Sequence, residues 1–252
     1  MAELVLLHGL LGDRHDWQPL LACLPGVDAL ALDLPGHGRE SARPLRRLAD
    51  FPAWLSARLQ AEGIRRYHLL GYSLGGRLAL YHAAGGAPGL QSLILEGAHP
   101  GLVSQAERRE RTRQDARWAR RFYREPLETV LADWYHQPVF AELSAADRIQ
   151  LIAARRQNDG RRLARTYCAT SLARQPDLAP WLARTRLPLA YLYGQQDGKF
   201  AAIATRLAAM QPQLSRQAVP DAGHNAHRDN PEFVARWLQH WLAGQPISSP
   251  TL

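Results

Sequence analysis

Tyr67-His68-Leu69-Leu70-Gly71-Tyr72-Ser73-Leu74-Gly75-Gly76-Arg77 reads as a buried strand that breaks directly into a helix, with a serine at the break. Tyr67 to Leu70 is a short apolar run ending at glycine, as a strand covered on both faces should be. Leu74 to Ala84 is helix-length and rich in alanine and leucine. Between them, Gly71-Tyr72-Ser73-Leu74-Gly75 fits G-x-S-x-G, a tight turn that projects a serine at the carboxyl edge of a parallel sheet. Glycine is needed there because backbone passes close to backbone.

The same alternation extends outward in both directions. Leu4 to Leu7, Ala29 to Leu32, Leu93 to Leu95, Leu189 to Tyr193 and Ala218-Val219 with its neighbours are the other expected strands. Helices are expected around Trp17 to Leu24, Leu45 to Gln60, Phe200 to Met210 and Pro231 to Leu242. Strand and helix in turn imply a parallel α/β sheet with right-handed crossovers. From about Gly101 to Gln175 the strand signal vanishes and arginine-rich helical sequence takes over. The expected organisation is an α/β core over residues 1–100 and 176–252, with a helical cap inserted at 101–175. Most of the cap arginines are expected on solvated faces, balanced by Glu107, Glu110 and Asp115.

Composition narrows the class. The chain has 252 residues, 46% of them hydrophobic and 21% charged, which excludes a disordered chain. Two cysteines, Cys23 and Cys168, exclude a disulfide scaffold and point to a reducing, cytoplasmic setting. No apolar run reaches the roughly 18 residues of a membrane span, and Met1-Ala2-Glu3 lacks the basic start of a secretory leader. Lys+Arg is 31 against Asp+Glu 23, a net +8, and Lys199 is the one lysine among those 31. A basic chain permits nucleic-acid binding, but neither zinc-finger spacing nor an RNA-binding signature accompanies the charge. An anionic small molecule is the better partner.

A serine becomes reactive at neutral pH only with a histidine oriented by an acid. In this strand-turn-helix context the order is serine, acid, histidine. Asp197 follows the fifth strand in Gly194-Gln195-Gln196-Asp197, and His224 follows the sixth in Pro220-Asp221-Ala222-Gly223-His224-Asn225. Backbone N–H groups of Leu10 and Leu74 are the expected oxyanion donors, each worth about 3–4 kcal/mol in such sites. His8 and His37 are expected to buttress their loops. The remaining histidines show no ligand spacing, so no metal is expected.

These residues resemble the α/β-hydrolase superfamily over essentially the whole chain. Within it the chain resembles the 2-succinyl-6-hydroxy-2,4-cyclohexadiene-1-carboxylate synthase family of menaquinone biosynthesis. The shared blocks are His8 to Asp13, Gly71 to Arg77, Glu96 to Leu102, Ala132 to Tyr135, Gln137 to Phe140 and Ala222 to His227. The resemblance implies a lyase that eliminates pyruvate from a cyclohexene polycarboxylate, without an organic cofactor. It also implies substrate-binding roles for Arg77, Arg111, Arg155, Tyr72 and Trp134. Arg77, four residues past Ser73, points at the site by helical geometry as well. Whether Ser73 or His224 takes the substrate proton stays open on sequence. Such relatives usually carry an antiparallel strand pair before the His-Gly loop. Only seven residues precede His8, so six all-parallel strands with a more exposed edge are expected. The competing functions are a serine esterase or thioesterase with the same triad, and a non-catalytic binding protein. Monomer and weak homo-oligomer fit the sequence equally.

Overall fold

In the computed structural model, which describes residues 3–244, six parallel strands form one sheet. Met1 and Ala2, read above for a leader, and the tail 245–252 of the second core segment lie outside the described residues. The strands are β1 (Glu3–Leu7), β2 (Ala29–Leu32), β3 (Tyr67–Tyr72), β4 (Leu90–Glu96), β5 (Leu189–Gly194) and β6 (Ser215–Val219). Their order is β2-β1-β3-β4-β5-β6, with every neighbouring pair parallel. The expected parallel α/β sheet is therefore what forms. β2 and β6 are its edges, and most of their residues are only half-buried.

Helices cover both faces. They are α1 (Gln18–Ala22), α2 (Phe51–Ala61), α3 (Leu74–Ala84), α4 (Gln105–Arg124), α5 (Leu127–Trp134), α6 (Ala145–Arg155), α7 (Gly160–Ala169), α8 (Ala179–Leu182), α9 (Gly198–Met210), α10 (Ala226–Asp229) and α11 (Pro231–Leu242). Alternation along β1 sorts the two cores. Leu4 and Leu6 join Trp17, Val234 and Leu238 on one face, while Val5 and Leu7 join Phe51, Leu78 and Phe200 on the other. Both sets are shielded from water, which is why β1 reads as an unbroken apolar run rather than an alternating one.

Two expected boundaries shift. The helix expected from Leu45 begins at Phe51, because a 3-10 turn over Leu48–Asp50 precedes it and Arg47 N–H donates to Asp50 Oδ2 at 3.0 Å. Pro52 then occupies the first turn, where its missing N–H costs nothing. The helix expected from Trp17 opens as a 3-10 turn over Arg14–Trp17, capped by the Asp13 carboxylate.

Between β4 and β5 the chain is helical, and α4, α5, α6 and α7 enclose a third apolar cluster of Phe122, Leu131, Trp134, Leu163 and Tyr167. Arg108 departs from the solvated role expected of cap arginines. Its guanidinium donates to Leu102 O (2.5 Å), Ala173 O (3.2 Å) and Gln175 O (2.7 Å), tying the chain before α4 to the chain after α7. Among the described residues no helix is long and apolar enough to cross a membrane.

Candidate active site

Ser73 sits at φ 49°, ψ −108°, a left-handed conformation between β3 and α3. Holding a non-glycine residue there costs about 1–3 kcal/mol, so its surroundings must enforce it. They do so through the flanking glycines. A Cβ on Gly71 would meet Gly75 backbone at 2.5 Å, and one on Gly76 would meet Ala98 Cβ at 2.6 Å. Ser73 N–H donates to Glu96 O at 2.8 Å, fastening the turn to the end of β4.

Three loops at the carboxyl ends of β3, β5 and β6 bring Ser73, Asp197 and His224 together. His224 Nδ1 lies 2.8 Å from Asp197 Oδ2, and His224 Nε2 lies 3.3 Å from Ser73 Oγ. Asp197 also caps α9, accepting from Phe200 N–H at 3.1 Å. Phe200 then stacks on the imidazole at 4.7 Å, and Phe140 meets it edge-on at 6.0 Å. The histidine loop is tied down on both sides: His224 N–H donates to Glu142 Oε1 at 3.0 Å, and Gly223 N–H to Asp229 Oδ2 at 3.0 Å. Gly97 lines the approach with φ +54°, and a Cβ there would press His224 Cε1 at 2.9 Å.

Leu10 and Leu74 both border the same cavity as Ser73 and His224. Leu74 opens α3, so its N–H belongs to the first turn that has no intrahelical acceptor. Leu10 is placed by the buttressing histidines. His8 Nε2 accepts from Leu34 N–H at 2.9 Å, and His37 Nε2 accepts from Leu11 N–H at 3.3 Å. Each acceptor nitrogen must be bare, so both rings are neutral. Burial lowers the pKa of His8 to about 4 and of His37 to about 3.

The cavity has a volume of about 310 Å³ and runs from Ser73 and His224 to α4, α5 and α7. Arg77 and Arg111 line it, as does Trp134, whose ring packs edge-on against Trp118 and Tyr167. Arg77 Nε donates to Gln175 Oε1 at 2.9 Å and its Nη2 to Thr170 O. Burial, and then the Arg111 charge, lower the Arg77 pKa to about 10. Arg111 Nε is held at 2.7 Å by Asp115, a buried carboxylate that also accepts from Tyr167 (2.7 Å) and Ser171 (2.6 Å). Both guanidiniums are thus oriented before any ligand arrives.

Two of the sequence-predicted binding residues lie elsewhere. Arg155 is absent from the cavity wall: its Nη2 donates to Asp16 Oδ1 at 2.6 Å. A guanidinium this deeply buried needs an anion beside it, and Asp16 supplies one from the loop after β1. Burial opposes the Arg155 charge, but Asp16 and Tyr135 raise its pKa overall. Tyr72 is buried behind the loop carrying Leu10. With Arg155 it borders a neighbouring space of about 30 Å³, and its ring contacts both His224 and His227.

Sequence reasoning also missed wall residues: His99, Gln114, Tyr167, Lys199 and Phe200. His99 lies within the family-like stretch Glu96 to Leu102, and Lys199 is the single lysine, two residues past Asp197. Burial, then the charges of Lys199 and Arg77, lower the His99 pKa to about 3. A further buried pair stands behind the triad, where Glu96 accepts from His227 Nδ1 at 2.9 Å and from His227 N–H at 3.1 Å. Among the described residues no cluster of three or more metal-ligating side chains occurs.

The family model for the alpha/beta hydrolase fold matches residues 3–231. The chain is 49% identical over 240 residues to the 2-succinyl-6-hydroxy-2,4-cyclohexadiene-1-carboxylate synthase of Serratia proteamaculans (strain 568), covering 95% of this chain and 92% of that one. It is 47% identical over 239 residues to the synthase of the same description from Enterobacter sp. (strain 638), covering 95% and 91%. Among solved structures, MenH from S. aureus superposes with a TM-score of 0.88 at 26% identity, covering 96% of this chain and 94% of that chain. A malate-bound thermophilic esterase from Thermogutta terrifontis superposes at 0.79 with 22% identity, covering 97% and 90%, and shares the fold.

Proposed function

This chain belongs to the 2-succinyl-6-hydroxy-2,4-cyclohexadiene-1-carboxylate synthase family, built on the alpha/beta hydrolase fold, and we propose that Ser73, His224 and Asp197 carry its reaction. It is a lyase of menaquinone biosynthesis. It eliminates pyruvate from 2-succinyl-5-enolpyruvyl-6-hydroxy-3-cyclohexene-1-carboxylate. The bonds dictate what the site must do. The proton at ring carbon 2 leaves, a double bond forms between carbons 2 and 3, and the existing one moves to carbons 4 and 5. The carbon 5–oxygen bond then breaks, and the departing enolpyruvate takes up a proton to become pyruvate. Carbon 2 carries the succinyl carbonyl, so charge develops on that carbonyl oxygen as the proton departs.

Serine alone is far too weak a base for this. His224, held by Asp197, draws the Ser73 proton, and the carbon 2 proton passes to the Ser73–His224 pair. The backbone N–H groups of Leu10 and Leu74 meet the enolate oxygen. Preorganised donors of this kind stabilise the transition state without reorganising. Arg77 and Arg111 take substrate carboxylates, and Trp134 walls the ring. The cap at 101–175 closes the cavity over the core segments 1–100 and 176–252. Arg155 and Tyr72 act from behind the Leu10 loop, by holding Asp16 and His224 in place. The setting is the cytoplasm, where the partner is this small polycarboxylate rather than nucleic acid or membrane.

The observation that carries this reading is the meeting of a complete triad with two pre-oriented guanidiniums around one cavity. The decisive measurement couples pyruvate release to lactate dehydrogenase while the mass of the Ser73 peptide is followed. The expectation is release by the wild type, loss by several orders of magnitude in Ser73→Ala, and no substrate-derived acyl group on Ser73. An acyl-Ser73 species formed during turnover would mark an esterase or thioesterase instead.

A further inference from the structure

The substrate's three substituents, succinyl, enolpyruvyl and ring carboxylate, each bring one carboxylate to the site. Arg155, the third cation that sequence resemblance offers, is committed to Asp16 and does not reach the cavity wall. The cavity nevertheless has three cationic side chains: Arg77, Arg111 and Lys199. Their partners differ. Arg111 has Asp115 and Arg77 has Gln175 and Thr170, whereas Lys199 Nζ has no carboxylate within 4.0 Å among the described residues. Its ammonium sits 5.3 Å from the centroid of the Phe200 ring, which also stacks on the imidazole of His224 at 4.7 Å. Lys199 is therefore the uncommitted charge at the catalytic end of the cavity.

Composition strengthens the point. Of the chain's 31 Lys and Arg residues, three line this cavity, and the single lysine is one of those three. Elsewhere arginine serves every cationic position. Lysine differs from arginine in presenting a compact point charge on a flexible stem, able to follow one oxygen pair as it moves. Arginine's planar fork is better suited to a fixed carboxylate. A mobile cation is what a departing carboxylate needs.

We propose that Lys199 is the third carboxylate-binding side chain of this site, holding the substrate carboxylate that lies nearest Ser73 and His224. The proposal rests on the lyase reading for the identity of the ligand. Lys199 is part exposed; partial desolvation, then the neighbouring Arg111 charge, lower its pKa against the opposing effect of Asp197, and the negative charge of an arriving carboxylate offsets them.

The test uses Lys199→Met and Lys199→Arg in the full-length enzyme, with thermal unfolding as the folding control. Losing a charge-assisted contact at one carboxylate lowers kcat/KM about 10- to 100-fold in Lys199→Met, with Lys199→Arg intermediate. A calorimetric titration with benzene-1,2,4-tricarboxylate gives an activity-free readout, in which Lys199→Met weakens Kd about 10-fold. Acetylating the native protein with N-hydroxysuccinimide acetate adds a third, because only one side-chain amine exists. The tricarboxylate should protect it. A Lys199→Met variant with wild-type kcat/KM, or with wild-type Kd for the tricarboxylate, overturns the proposal. Failure of the wild type to release pyruvate overturns the lyase reading instead, and the titration still judges Lys199 alone.

Discussion

Lowering the pH should unfold this protein through its buried histidines well before its carboxylates are titrated. His8, His37 and His82 are buried, and burial is the largest cause lowering each pKa, to about 4, about 3 and about 4. In the unfolded chain the same rings titrate near about 6.5. A group whose folded pKa is depressed stabilises the fold above its unfolded value and loses that contribution as pH falls. Between pH 7 and pH 5 the unfolded chain gains about one proton per ring that the folded protein refuses, a loss of about 2 kcal/mol each. His99 adds a fourth ring, its pKa lowered to about 3 by burial and then by the charges of Lys199, Arg77, Arg206 and Arg111. Four rings give about 8 kcal/mol, against total stabilities of about 5–15 kcal/mol for domains of this kind. The neighbours do not reverse the sign. His8 faces Asp33 and Asp13, which favour its charge, but also Arg155; His37 faces His8 and Arg155 as well as Asp33; and His82 faces the Tyr67 hydroxyl at 2.7 Å. Urea unfolding followed by tryptophan fluorescence at pH 7, 6 and 5 measures the loss. His82→Gln keeps a partner for Tyr67 and should reduce the pH slope by about a quarter, one titrating ring of four. Equal stability at pH 7 and pH 5 would refute the reasoning. Because His8 and His37 hold the Leu10 loop, the oxyanion site proposed there should fail along with the fold.

Arg111→Met should lower kcat/KM about 30- to 1,000-fold, from a loss of about 2–4 kcal/mol at a desolvated carboxylate. Arg113→Met, on a side chain that is 72% exposed and paired with Glu110, should cost under about 1 kcal/mol in the same pyruvate assay. Equal damage from the two would mean a diffuse field rather than specific contacts. At the Glu96–His227 pair, where both side chains are 0% exposed, His227→Leu should destabilise by about 3–5 kcal/mol by stranding a buried carboxylate. Adding Glu96→Leu should recover part of that loss in a double-mutant cycle of urea midpoints, whereas strict additivity would show that the two side chains do not depend on each other.

The strands and the triad were legible because their signals are local. Apolar runs ending in glycine or aspartate mark buried strands, and the expected six all formed, within a few residues of their bounds. The start of α2 was misplaced because helical composition continues through Leu45 to Asp50, whereas the Arg47–Asp50 turn and Pro52 set the boundary. Solvated arginines were expected in the cap, and Arg113 fits. Arg108 does not, because its partners at Ala173 and Gln175 lie some 65 residues away in sequence and are main-chain carbonyls that no side-chain pattern announces.

By itself the sequence determined the parallel sheet, the turn that carries Ser73, and the order in which Asp197 and His224 must follow it. Each depends on residue type at short spacing: glycines where backbones cross, apolar runs where both faces are covered, a serine where a strand becomes a helix. Which of the offered cations line the cavity beside Ser73 was decided by tertiary structure. Arg111 and Arg155 are alike in sequence, both arginines on cap helices near a carboxylate. Folding sets Arg111 beside Asp115 on the cavity wall and sends Arg155 to Asp16, 139 residues distant. Lys199, on the cavity wall, has no carboxylate within 4.0 Å among the described residues. A charge's function depends on what already neutralises it, and that is set by neighbours in space rather than in sequence.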